Sequence, residues 1–194
     1  LKGSVRLAQL TTEDMVLCRL NSPLMQVAWG LLAVNVPFNF MGKDLLPRLL
    51  RTIDNVLQDC NRDELSSANF CAGLQAYIEA QRIALESKKA YGLLHALEDQ
   101  AASLSILAGK VGNTTELRRM LEKMFSSEYG VRIGTVHKAK GAEAQHVILL
   151  DADRLMPFPK ATSPRARQQE NNIIYVAITR AINKLTYVNS ENIL

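Results

Sequence analysis

Residues 131–151, VRIGTVHKAKGAEAQHVILLD, constrain the fold more than any other stretch of this chain. They read as strand, polar loop, strand. Val131, Ile133 and Val136 lie in one β-rich run, and residues 146–151 hold four consecutive apolar residues that end on Asp151. Short apolar runs of this kind predict strands covered on both faces, as in a parallel sheet. Between them, residues 135–143 place a hydroxyl, an imidazole, two ammonium groups, a glycine and a carboxylate within one loop. Loops beside the strand ends of open α/β sheets are where ligands bind. These side chains suit a phosphorylated ligand better than a core.

The flanking sequence agrees. Residues 14–20 read as a strand, and Asn21-Ser22-Pro23 offers a helix cap with proline just inside the first turn. Leu24, Val27, Ala28, Leu31 and Leu32 then repeat with helical spacing. Residues 36–40 form a second short strand, Gly42 marks the turn after it, and residues 45–57 are helical. The first 57 residues therefore follow a β-α-β-α pattern, which predicts a parallel sheet with covering helices.

The middle of the chain lacks strand signals. Phe70, Leu74, Tyr77 and Ile78 form one helical stripe, and Leu93, Leu94, Leu97 and Leu104 form another. Asn113 and Glu116 stand at capping-box spacing before a third stripe that begins at Leu117. Residues 58–127 are therefore expected to be an all-helical insertion between two parts of one sheet, 1–57 and 128–194. After the central stretch, residues 152–167 read as a proline-containing loop. Residues 170–181, ENNIIYVAITRA, read as a helix that buries Ile173, Ile174, Ala177, Ile178 and Ala181. Arg180 would lie at the edge of that stripe, able to reach across a cleft or to cap its own helix end. Residues 184–188 close the pattern as a strand.

Composition narrows the function classes. The net charge is +4, and it is unevenly spread. Residues 1–57 carry six Lys/Arg against four Asp/Glu, residues 58–127 eight against nine, and residues 128–194 nine against six. An anionic partner should therefore meet the ends of the chain. Cys18, Cys60 and Cys71 show neither disulfide nor metal-ligand spacing, which fits free thiols in a reducing cytoplasm. No apolar run reaches the length of a membrane span, and the first residues do not resemble a signal peptide. Leu1 is not an initiator methionine, so the chain is expected to belong to something longer.

Two segments carry a family resemblance. TVHKAKGAE at 135–143 resembles motif V of the UvrD/Rep-like superfamily 1 DNA helicases, and YVAITRA at 175–181 resembles their motif VI. Glu170, the segment 155–159, and the run CRLNS followed by VPFNFMG fit the same pattern. The resemblance implies an α/β fold: a RecA-like parallel sheet flanked by helices, forming the second motor domain, with 58–127 as a short counterpart of the family's 2B insertion. By the same resemblance, Arg180 is the catalytic arginine that contacts the γ-phosphate of ATP. Glu143 matches the carboxylate that accepts hydrogen bonds from the ribose, and Lys140 and Gly141 complete the ATP-binding set. Thr135 and His137 match residues that touch the single-stranded DNA backbone. Arg19 and Asn21 are weaker site candidates. Ala142 departs from the family's large apolar residue at that position, and Asn171 and Asn172 stand where charged residues are common.

No GxxxxGK[ST] phosphate loop and no acidic magnesium-holding pair occur in the sequence. In this reading Mg²⁺ and the triphosphate cradle come from a first RecA-like domain of the parent chain, and these residues supply no metal ligand. The chain is expected to be inactive as an ATPase alone. The alternative is a helicase-derived nucleotide- or DNA-binding scaffold without ATPase activity.

Overall fold

A computed structural model describes residues 3–193. The chain divides into two compact units, one made of the residues up to Gly42 and from Ser126 onward, the other of Lys43–Phe125.

The first unit is built on five strands: β1 (Asp14–Cys18), β2 (Phe38–Phe40), β3 (Val131–Thr135), β4 (Ala144–Leu150) and β5 (Ala181–Val188). They form one sheet in the order β2-β3-β1-β4-β5, with every pairing parallel. Flanking helices complete the α/β, RecA-like architecture. Strands from the two ends of the chain alternate across the sheet. β3 lies between β2 and β1, and β1 lies between β3 and β4. Neither end can complete the sheet alone, so the two must fold together. All five residues of β1 are buried, as a central strand covered on both faces requires.

Helix α1 (Ser22–Ala33) begins with Pro23 in its first turn and buries Leu24, Met25, Val27, Ala28 and Leu31. Met25 replaces Leu32 in the expected stripe. Asn21 stands at the cap position, but its side chain makes no capping hydrogen bond; its carbonyl accepts from the Met25 N–H.

One histidine fastens three strands. His146 Nδ1 lies 2.7 Å from Asp14 Oδ1, and its Nε2 lies 2.8 Å from Thr186 Oγ1. The contacts join β4 to its neighbours on both sides. The other oxygen of Asp14 accepts from the backbone N–H and the hydroxyl of Thr11. His146 therefore has a structural role.

The second unit is helical: α2 (Leu45–Asp59), α3 (Ser67–Ser87), α4 (Tyr91–Ala108) and α5 (Thr114–Ser126). The sequence reading grouped 45–57 with the sheet and began the insertion at 58. In the structure α2 packs on α3 and α4 and belongs to the helical unit. Its apolar stripe, including Leu49, Ile53 and Val56, is buried there. A helical stripe in sequence shows that a face is covered, not which element covers it. The capping box forms: Asn113 Oδ1 accepts from the Glu116 N–H at 2.8 Å, and Glu116 Oε2 accepts from the Gly112 N–H at 2.7 Å.

The C-terminal elements differ from expectation at their edges. The segment 152–167 holds a short helix α6 (Ala152–Leu155), and α7 spans Pro164–Ile178 rather than 170–181. Ser163 caps α7 by accepting from the Ala166 N–H, and Pro164 sits in its first turn. Because α7 ends at Ile178, Arg180 lies beyond the helix, in the turn that enters β5 at Ala181. The fully buried residues of α7 are Glu170 and Ala177, with Ile173 and Val176 packed against the core. Ile174 and Ile178 instead line a groove of about 340 Å³ with Met156 and Tyr187.

Candidate nucleotide and nucleic-acid site

The loop between β3 and β4 leaves the carboxyl end of one strand and enters the amino end of another, with β1 between them. It must therefore cross the sheet. Val136 and Ala139 turn inward and are buried with Met15, Leu17, Val147 and Leu149. Their spacing leaves His137, Lys138, Lys140 and Glu143 exposed. Backbone bonds tighten the start of the loop: the N–H groups of Lys138 and Ala139 donate to the Thr135 carbonyl. Gly141 has φ +85. A Cβ there would meet no atom within 4 Å, so the glycine answers a backbone requirement rather than a steric one. A side chain in this left-handed region costs about 1 kcal/mol.

The predicted residues separate into two groups along this loop. Glu143 and Arg180 come together at the amino ends of β4 and β5. The Ala144 N–H donates to the Arg180 carbonyl at 3.0 Å, and Arg180 Nη1 donates to the Ala142 carbonyl at 3.1 Å. Glu143 is thus bracketed by two contacts to Arg180, with its carboxylate exposed. The remaining guanidinium nitrogens are also engaged. Nε donates to the Val176 carbonyl at 3.1 Å, and Nη2 donates to Thr179 Oγ1 at 3.2 Å. Arg180 therefore caps the carboxyl end of α7 and ties it to the loop. Of the two placements that the sequence leaves open, this is the cap on its own helix end, and the guanidinium does not extend from the side of the helix.

Thr135 and His137 lie at the opposite, carboxyl end of the sheet. Thr135 pairs with Cys18 in the β3–β1 register and is only 8% exposed. Its hydroxyl is less available than the sequence implied. His137 is exposed and shares a groove of about 160 Å³ with Lys140, Asn172, Ile173 and Val176. Partial desolvation lowers the pKa of its ring, Arg19 and Lys138 lower it further, and Glu170 opposes them. The net result is an imidazole held below the usual histidine value. The stem of Lys138 packs over Gly42, where a Cβ would lie 3.0 Å from Lys138 Cγ.

Beside His137 is a cluster of which the sequence singles out Arg19 only as a weaker site candidate and Glu170 only as part of the family pattern. Glu170 is 4% exposed. It accepts from Arg19 Nε at 3.0 Å and 3.2 Å and from Arg19 Nη2 at 2.7 Å. It also accepts from the Phe158 N–H at 3.1 Å. Burial would raise the Glu170 pKa, but the hydrogen bonds from Arg19 and Phe158 outweigh it and hold the carboxyl below its usual range. The Arg19 guanidinium also lies over the Phe158 ring, 5.0 Å from its centre. A signal for this cluster was present. Glu170 occupies the inward face of a helix together with Ile173 and Ala177, and a carboxylate there needs a partner. The Arg19 end of that pair is set by tertiary structure.

Residues 74–192 match the UvrD-like helicase C-terminal domain family. The match covers most of the chain and includes both halves of the candidate site, so this chain belongs to the UvrD-like helicase C-terminal domain family. That membership gives the fold a helicase motor-domain role, in a family that uses ATP and Mg²⁺. None of the curated proteins compared with the chain is similar enough to count as a relative. Among the described residues, no helix is long and apolar enough to cross a membrane.

Proposed function

We propose that this domain is the second half of an ATP-dependent motor that moves along single-stranded DNA, in the 3′ to 5′ direction by family resemblance. The observation that carries this reading is the convergence of Arg180 and Glu143 at one edge of the sheet, from separate segments of the chain. A nucleotide fits the donor set there. The exposed carboxylate can accept hydrogen bonds from sugar hydroxyls, and the guanidinium can donate to phosphate oxygens after leaving its present carbonyl acceptors. Gly141 supplies the turn on the nucleotide side, while Lys140, assigned to that side by motif position, brings its positive charge to the groove it shares with His137. When bound, ATP with its Mg²⁺ supplies the transferable phosphoryl group. The first RecA-like domain would hold the metal and the triphosphate. Arg180 would then favour the charge that develops during transfer, as cations placed at phosphoryl groups do.

The DNA side of the proposal rests on His137, with Thr135 at the strand end beside it. Contacts of this type hold phosphates without reading bases. Binding should be salt-dependent, because cations from the protein displace counterions from the strand. Domain boundaries follow the same reading: the sheet unit is the motor, and the helical segment is an insertion reduced from the family's 2B.

A second reading draws on the engagement of every Arg180 guanidinium nitrogen within the domain. In it, Arg180 is only a brace, and the chain is a helicase-derived binding scaffold without ATPase activity. One experiment bears on both. The purified chain is expected to bind a fluorescent single-stranded oligonucleotide more weakly as salt rises and to show no ATP turnover. Joined to a first RecA-like domain, it is expected to support DNA-stimulated turnover. Turnover by the chain alone would refute the division of labour, and failure of the joined protein to turn over ATP would favour the scaffold.

A further inference from the structure

The buried pair behind His137 has a form that simple strand packing does not explain. Glu170 is almost fully enclosed and makes contacts to two separate segments. It holds Arg19, the first residue after β1, in a two-pronged bond, and it holds the backbone of Phe158 in the segment between α6 and α7. Arg19 is in turn stacked over the Phe158 ring. The residue before Arg19 bonds the loop that carries His137, because the Cys18 carbonyl accepts from the Val136 N–H at 3.0 Å. Three segments therefore meet at one carboxylate, the end of β1, the segment around Phe158 and α7 itself, and the start of the β3–β4 loop is bonded to the first of them. A bidentate guanidinium–carboxylate pair fixes orientation as well as distance.

We infer that Arg19 and Glu170 are positioning residues for the single-strand contact: together they fix where the His137 imidazole and the Phe158 segment stand at the carboxyl end of the sheet. This rests on the proposal that His137 touches DNA. The two act through His137, so neither needs to touch the strand. The charged groups that act on the His137 ring are Arg19 from just after β1, Glu170 from α7 and Lys138 from its own loop. Lys140 lines the same groove.

The electrostatics give a readout that loss of packing alone would not produce. Arg19 and Glu170 act on His137 with opposite signs. The test uses NMR titration of the His137 ring in the whole chain without DNA, followed by single-strand affinity at fixed salt. Arg19→Gln is expected to move the titration midpoint up, and Glu170→Gln to move it down. Each should weaken oligonucleotide binding by ~10-fold, the scale for loss of a hydrogen bond to a charged group. Arg19→Lys keeps the charge but loses the two-pronged bond. It should leave the midpoint near that of the wild type and still weaken binding. If Glu170→Gln does not fold, the two Arg19 variants carry the same test, because they separate charge from geometry. Unchanged midpoints and unchanged affinity in the folded variants would overturn the inference. Midpoints that move as expected in a chain that binds no DNA would instead leave the positioning intact and remove the DNA-binding reading.

Discussion

Replacing Arg180 with alanine in the protein joined to its first motor domain is expected to lower DNA-stimulated ATP turnover by roughly 10³-fold, the low end for loss of an arginine that meets a transferring phosphoryl group. The effect should fall on turnover, with single-strand affinity in the absence of nucleotide little changed. That separation follows from position: Arg180 stands at the amino ends of β4 and β5 with Glu143, whereas Thr135 and His137 stand at the carboxyl end of β3. The substitution also removes the bonds to the Val176 and Ala142 carbonyls. A stability loss of about 1–3 kcal/mol should accompany it if those acceptors are not rehydrated. Arg180→Lys separates the two effects. A lysine keeps the charge but cannot serve three acceptors in fixed directions. Turnover assays on both variants, with urea unfolding as the control, check this. Undiminished turnover in a folded Arg180→Ala protein would reduce Arg180 to a brace.

The second large effect is on stability. Glu170→Ala is expected to destabilise the sheet unit by about 3 kcal/mol, the lower end for breaking a buried ion pair. The lower end applies because the Arg19 side chain is 18% exposed and can regain some water. The Phe158 N–H also loses its acceptor. Changing both partners to apolar residues, Arg19→Met with Glu170→Met, should cost less than Glu170→Ala alone, since no charge is then left without a partner. The pH dependence has a definite sign. The folded-state pKa of Glu170 lies below its unfolded value. Its contribution is therefore fully present above the ordinary carboxylate range and is lost as pH falls through the folded pKa. Urea midpoints measured from pH 7 down to pH 3 should decline in the wild type below about pH 4.5, and more shallowly in the double variant.

These residues also show what could be read in advance. The parallel sheet was legible because β1 and β4 hold short apolar runs and β3 is rich in β-branched residues. The α5 cap was legible because Asn113 and Glu116 act within one turn of chain. Gly141 was legible as part of the ATP-binding set, and its φ of +85 shows the backbone requirement it meets. What could not be read depends on distant partners. Helix α2 shows its stripe but not its neighbour, so the boundary of the helical unit fell too late in the chain. The end of α7 was placed past Arg180 because YVAITRA continues a helical pattern beyond Ile178. The competing pull of β5, which pairs Ala181 with Ala144, comes from a strand far away in sequence. The Arg19–Glu170 pair was half visible, as a carboxylate on the inward face of a helix, with its partner on a strand end far away in sequence. Thr135 was assigned from motif position, and only its place in the sheet shows how little of it is exposed.

The central claim is that Arg180 and Glu143 form one side of a cleft that closes on a nucleotide. The most direct measurement is fluorescence energy transfer between a dye on this domain and a dye on the first motor domain, as a non-hydrolysable ATP analogue is added with Mg²⁺. The account predicts closure in the wild-type protein and weakened closure, at higher analogue concentrations, in both Arg180→Ala and Glu143→Ala. Closure that occurs at the same analogue concentration in all three proteins would contradict it.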